Sequence, residues 1–319
     1  MINMTVLCSQ LVTLFMIIAV GYFAYKTNIL NQEVNKHLNT FVLQITMPMM
    51  IINAVSKMVS RPSKGQIIAL FIFSALFYIL MPVISFIIVK IMVKTMGVHK
   101  NRQGIYMFMM IFGNIGFMGF PIIEAAFGDN STIALFYAAI LNVFFNIAIF
   151  TYGIIMIGYG SESKVKISFK KLLTPGMFSS FIAIIMYGLN LHLPGPVGDI
   201  VETLGNLTPA LSMILVGSTL ATMKISEVFN YWRIYIFVLI RQVILPIILY
   251  PVFKLVIKDD LLFYVFFIEF LMPVANSTLI FATQYKLDSK FASKSIFIST
   301  LFSLITIPGI LFICSLFPF

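Results

Sequence analysis

The chain has 319 residues, 60% of them hydrophobic and 10% charged, with a mean hydropathy of +1.03. Those figures exclude a soluble globular domain. The formal net charge of +10 would suit a nucleic-acid binder, but the basic residues are placed as topology signals, and no nucleic acid is expected as a partner.

A spanning helix needs roughly 20 predominantly apolar residues. Ten stretches meet that rule, at about 4–25, 37–56, 66–93, 103–127, 131–158, 175–191, 198–222, 231–256, 261–285 and 291–316. Met1 to Met4 hold no basic residue and no small-residue cleavage site follows the first run, so it reads as a retained span rather than a signal peptide. Span 2 carries Gln44 and Asn53 around Pro48; span 3 holds Pro82. Span 4 contains GNIGFMGFP at 113–121, and span 5 places Asn142 and Asn146 one helical turn apart. After the polar stretch at 160–171 come Pro175-Gly176 and then LTPALSM around Pro209. Span 8 holds Arg241 and Pro246, and span 9 holds Glu269 and MPVANST at 272–278. No loop is long enough for a soluble domain. Residues 1–159, a linker at 160–173 and residues 174–319 form the expected division.

Fifteen of the 21 Lys and Arg residues fall in odd-numbered loops: Lys26, Lys36, Lys90, Lys94, Lys100, Arg102, Lys164, Lys166, Lys170, Lys171, Lys224, Arg233, Lys286, Lys290 and Lys294. The even loops hold Lys57, Arg61, Lys64, Lys254 and Lys258, and Arg241 lies inside a span. By the positive-inside rule the odd loops are cytoplasmic and both termini face outward across the cell membrane. Two cysteines, Cys8 and Cys314, offer neither a disulfide framework nor a metal site. His37, His99 and His192 lie near span ends, and no phosphate-binding Gly-Lys-Ser/Thr loop occurs. No catalytic pairing lies within the spans, so no enzyme, metal or cofactor is expected.

The two halves share an order of features. Pro82 with Lys90 matches Pro246 with Lys254; Pro48 matches Pro209; Gly21 matches Gly188; Thr278 falls opposite Pro121. Five spans per half is an odd number, so the halves insert with opposite orientation. The expected fold is an all-α polytopic membrane protein of ten transmembrane helices, built as two inverted five-helix repeats with helices 4 and 9 broken and crossing. Inverted repeats place a binding site near the midplane, where unwound backbone lines a cavity.

A half-helix starting at Pro121 exposes free N–H groups and a partial positive charge, and one starting near Thr278 presents the same pole from the other side. Two converging positive poles form a site for an anion, most simply a carboxylate. Gly113, Gly116 and Gly119 permit close backbone approach. Asn114, Asn276, Ser277 and Thr278 serve either a ligand or the opened backbone; Asn142, Asn146 and Gln44 either line the cavity or join helices. Arg241 and Glu269, each near the bilayer centre, are expected to pair, as an ion pair or a gate. Glu124 in the first turn after Pro121 either caps the dipole or carries a coupling proton or sodium ion.

The segments GNIGFMGFPIIEAAFG at 113–128, MPVANSTLIFATQY at 272–285, ITMP in span 2 and Pro175-Gly176 together resemble the auxin efflux carrier family, which includes the plant PIN-FORMED exporters and bacterial malate or malonate permeases. The resemblance covers essentially the whole chain. It implies a scaffold of spans 1, 2, 6 and 7, a transport domain of spans 3–5 and 8–10 that moves like an elevator, and a homodimer. It also implies substrate contact at Asn114 and a crossover proline at Pro121, with Gln44 and Asn142 or Asn146 as further contacts. Plant members carry a second proline where Thr278 stands here. The expected function is secondary transport of an organic anion, with an anion channel or a polytopic sensor or enzyme as alternatives; substrate, coupling ion and direction stay open.

Overall fold

The apolar stretches marked in the sequence are largely helical, with breaks at 112–114 and 272–276, and among the described residues no strand forms beyond one isolated bridge. The computed structural model describes residues 4–161, 173–223 and 230–316. The basic residues Lys164, Lys166, Lys170 and Lys171 of the linker, and Lys224, lie outside that range. We number twelve helices. They are α1 (Met4–Lys26), α2 (Gln32–Ser56), α3 (Lys64–Met96), α4 (Lys100–Ile111), α5 (Phe120–Phe127) and α6 (Ser131–Ala148). The second half supplies α7 (Pro175–Leu189), α8 (Gly195–Ala221), α9 (Trp232–Val256), α10 (Asp260–Leu271), α11 (Ser277–Gln284) and α12 (Ser289–Leu316). Among the described residues, seven helical stretches are long and apolar enough to cross a bilayer. With the composition, this makes the chain a multi-pass membrane protein.

Local chemistry sets the helix ends. Ser63 and Gln66 form a capping box that opens α3, and Gly97, at φ 61°, closes it. Asn31 caps α2 and Asp259 caps α10 through their side chains. Along α3, Ile68, Ile72, Ile79, Val83 and Ile87 are exposed, which in a bilayer is a lipid-facing surface rather than a defect.

Three wide turns share one cause. The π turns Val42–Thr46, Ile115–Gly119 and Ile240–Ile244 each end two residues before a proline: Pro48, Pro121 and Pro246. A proline ring clashes with the carbonyl four residues back and supplies no N–H, and widening the preceding turn relieves both faults. Pro82 is handled differently. It sits inside α3 with no such turn, and the carbonyl it orphans, that of Tyr78, accepts a hydrogen bond from the Tyr152 hydroxyl at 2.8 Å. The matched prolines Pro82 and Pro246 therefore differ in local geometry.

Glycine decides the closest helix crossing. At Gly217 of α8 an added Cβ would strike the backbone of Ile18 and Tyr22 in α1, and at Gly21 of α1 it would strike the backbone of Ile214. These two helices make the largest contact in the molecule. Such small-residue crossings are how helices pack where lipid replaces water.

Candidate functional site

Two helices break at the same place in space. The first stops at Ile111 and resumes at Ile115; the second stops at Leu271 and resumes at Ser277. The intervening segments pair antiparallel, Gly113 opposite Val274. Asn114 N–H donates to the Pro273 carbonyl at 2.7 Å, and Ala275 N–H donates to that of Phe112 at 3.1 Å. On the far side, Val274 N–H donates to Ser299 Oγ of α12 at 3.2 Å. Backbone opened at this depth is tolerated because these bonds absorb the polar groups that hydrocarbon would leave bare.

The breaks leave donors over. Among the described residues, the amides of Ile115, Gly116, Asn276 and Ser277 donate to no protein acceptor. All four line one cavity of about 350 Å³. Asn114 Oδ1 accepts from Phe117 N–H at 3.4 Å, which caps the resumed helix, and Asn114 also lines the cavity. Gln44, Asn142 and Asn146 line it too, with Leu43, Met47, Phe145, Phe150 and Phe281 as apolar walls. Among the described residues no Lys, Arg, Asp or Glu lines it. Two helix N-termini and a set of neutral amides are what those residues bring to its electrostatics.

Several expected residues sit elsewhere. Pro121 is not at the free N-terminus. The helix resumes six residues earlier, at Ile115, and Pro121 follows the π turn that its own ring requires. Glu124 is consequently well past the first turn, half-buried, with Oε2 lacking a partner. Gly119 does not line the cavity; a Cβ there would lie 2.7 Å from Glu269 Oε2, so its bareness makes room for that carboxylate. Thr278 is fully buried one residue inside α11, while its neighbour Ser277 faces the cavity. The break of the second helix covers residues 272–276, with Pro273 near its start.

Arg241 and Glu269 do not form the expected ion pair; the described pairs are Lys57–Glu202, Arg102–Asp288 and Lys254–Asp260. Instead Arg241 donates to the Phe270 carbonyl at 2.7 Å and lies over the Phe270 ring. A cation placed on the last carbonyls of α10 answers the negative pole of that helix. Both Glu269 oxygens are buried without a hydrogen-bond partner. The two side chains share a separate cavity of about 20 Å³ behind the crossing, with Gly113 and Ile115 between it and the larger one. About one water fits such a space.

Asn142, Asn146 and Thr174 form a chain. Asn146 Nδ2 donates to the Asn142 carbonyl at 2.7 Å and to Asn142 Oδ1 at 3.0 Å, and Thr174 Oγ1 donates to Asn146 Oδ1 at 3.3 Å. Both asparagines line the cavity, and Asn146 also joins α6 to the residue that caps α7. Sequence reasoning missed Asn39, Thr40 and Thr174 on the cavity wall. Thr174 had a signal: a hydroxyl residue before Pro-Gly marks a helix start. Asn39 and Thr40 lie about one turn before Gln44 on α2, a spacing that was legible once Gln44 was chosen.

Interrupted helices enclosing a cavity with amide groups on a largely apolar wall are the architecture of a membrane transport protein. The sequence profile of the family described as membrane transport protein matches residues 6–311, and the chain belongs to that family. The resemblance to the auxin efflux carriers agrees with this. An uncharacterized transporter of Methanocaldococcus jannaschii is 29% identical over 301 residues, 91% of this chain and 93% of that protein. A protein of Rhizobium meliloti, provisionally named a malonate transporter, is 24% identical over 309 residues, 94% of this chain and 93% of its own.

Proposed function

We propose that the chain is a secondary active carrier of small organic anions, carboxylates above all, binding its substrate in the 350 Å³ cavity. The observation that supports this is the set of four unpaired amides, two from each interrupted helix, in residues that line one cavity. Positive helix poles attract an anion, and with no cationic side chain among the described lining residues it stays free to depart. The provisional malonate assignment of one relative agrees with a short dicarboxylate. Asn114, Gly116, Asn276 and Ser277 are the proposed substrate contacts, with Gln44, Asn142 and Asn146 around them; Pro121, Gly119 and Thr278 shape the site from behind.

The ten helical segments are read as two inverted repeats, residues 1–159 and 174–319, joined by the linker at 160–173. A scaffold of α1, α2, α7 and α8 carries a moving body made of the rest, and the scaffold forms the homodimer. Several polar ties between helices fall within one group or the other, while Thr174 with Asn146 crosses between them. Lys57 meets Glu202 and Ser218 meets Asn35 within the one group. Gln66 meets Asp259, Arg102 meets Asp288 and Gln242 meets Ser299 within the other. Glu269 with Arg241 is the proposed coupling or gating element, for a proton or sodium ion, and Glu124 is a second carboxylate for that role. The termini face outward in the cell membrane, by the loop charges.

The test is uptake of radiolabelled carboxylates into proteoliposomes. Saturable uptake, stimulated by substrate on the far side, marks a carrier; non-saturating flux marks a channel. Asn114→Ala should abolish uptake while the purified protein keeps its size-exclusion profile. Full uptake by that variant would remove the site assignment.

A further inference from the structure

We infer that Thr174 is a positioning residue that holds the cavity amides in one arrangement, in which Asn142 presents its N–H groups and not its carbonyl to the bound anion. This rests on the carboxylate reading of the cavity and adds the polarity of one wall.

The direction of each amide follows from what its neighbours can do. Asn146 lies 2.7 Å from the Asn142 backbone carbonyl, which only accepts, so the atom facing it must be the NH2 group. Its oxygen then faces Thr174 Oγ1 at 3.3 Å. That hydroxyl already accepts from Met177 N–H at 3.1 Å as the cap of α7, and its single proton is free to go to Asn146. The side-chain atom of Asn142 that meets the Asn146 NH2 group, at 3.0 Å, must be the oxygen.

Asn142 Nδ2 is what remains. It has no acceptor among the described residues, and it faces Gly176, where an added Cβ would lie 3.4 Å from it. Asn142 and Gly176 both line the cavity. The Asn142 backbone carbonyl thus orients Asn146, Thr174 at the start of α7 holds the oxygen so placed, and Asn146 orients the Asn142 side chain. Donors displayed this way select an anion and disfavour a cation of the same shape. Thr174 belongs to the proposed scaffold and Asn146 to the proposed moving body, so the orientation holds only while the two are in this register.

The test uses the full chain in proteoliposomes with radiolabelled malonate. Thr174→Val keeps the shape and removes the hydroxyl, and Thr174→Ser restores it. The expected result is a KM raised about tenfold for Thr174→Val, the effect of one lost oriented donor to a charged group. Its maximal rate should stay within about twofold, and Thr174→Ser should match the native protein. Equal impairment of Val and Ser variants, or loss of maximal rate at unchanged KM, would mean a merely structural role and overturn the inference. Should Thr174→Val fail to fold, Asn142→Asp decides: it keeps the volume and replaces the donor by a carboxylate oxygen. A KM raised at least as much supports the inference, and native kinetics refute it. Native protein without saturable malonate uptake would overturn the carrier reading and this one together; native uptake with Thr174→Val unaltered would overturn this one alone.

Discussion

Gly217→Ala tests the closest crossing in the molecule with a single methyl group. An ideal Cβ at Gly217 would overlap the Ile18 carbonyl carbon and oxygen and the Tyr22 amide nitrogen, all backbone atoms of α1. Backbone in mid-helix cannot swing aside as a side-chain tip can, so α1 and α8 must separate. Ile18, Met213, Val216 and Leu220 would then lose part of their packing. Overpacking of this kind costs about 1–3 kcal/mol, and the upper end applies where only backbone can yield. Gly309 in α12 is the control, because nothing lies within 4 Å of a Cβ there. Gly309→Ala should be neutral or stabilising by up to roughly 1 kcal/mol through helix propensity. The assay is thermal unfolding of both purified variants in one detergent. Gly217→Ala should melt well below the native protein and Gly309→Ala at or above it. Equal melting temperatures would refute the close crossing and the packing argument built on it.

Two further substitutions probe the interior. Tyr152→Phe strips the Tyr78 carbonyl of the partner that replaces the missing Pro82 N–H, at a cost of about 1–2 kcal/mol. In the Pro82→Ala background a backbone N–H returns to that carbonyl, so the same change should cost far less. A double-mutant cycle in thermal stability without that coupling would discard the account. Glu269→Gln keeps the shape of a buried carboxylate that has no hydrogen-bond partner. Its melting temperature should hold or rise, since an unpaired buried charge costs desolvation. Uptake should lose its dependence on an imposed proton or sodium gradient, and native coupling in this variant would take Glu269 out of that role.

Some of the site was visible in residue order and some was not. Asn114, Gly116, Asn276 and Ser277 could be chosen because they interrupt apolar runs, and hydrocarbon tolerates opened backbone only where protein or a cavity surrounds it. They do line one cavity. Pro121 and Glu124 were misplaced for a local reason. A proline was read as the first residue of a helix, whereas here it sits after a widened turn that begins at Ile115. Nothing in composition distinguishes a helix that starts at proline from one that bulges ahead of it. The Arg241–Glu269 pair failed for another reason: charge economy names a partner but ignores the helix end at Phe270 that competes for the same guanidinium.

Composition and periodicity alone established a multi-pass helical membrane protein with two interrupted segments, because hydrocarbon dictates both the length of each span and the fate of unpaired backbone. Which residues face the cavity was decided by packing. Whether Gly119 opens onto substrate space or onto Glu269, and which way Asn142 turns its amide, depends on neighbours distant in the chain. Hydrogen-bond direction is a property of partners, and partners are assembled only when the helices come together.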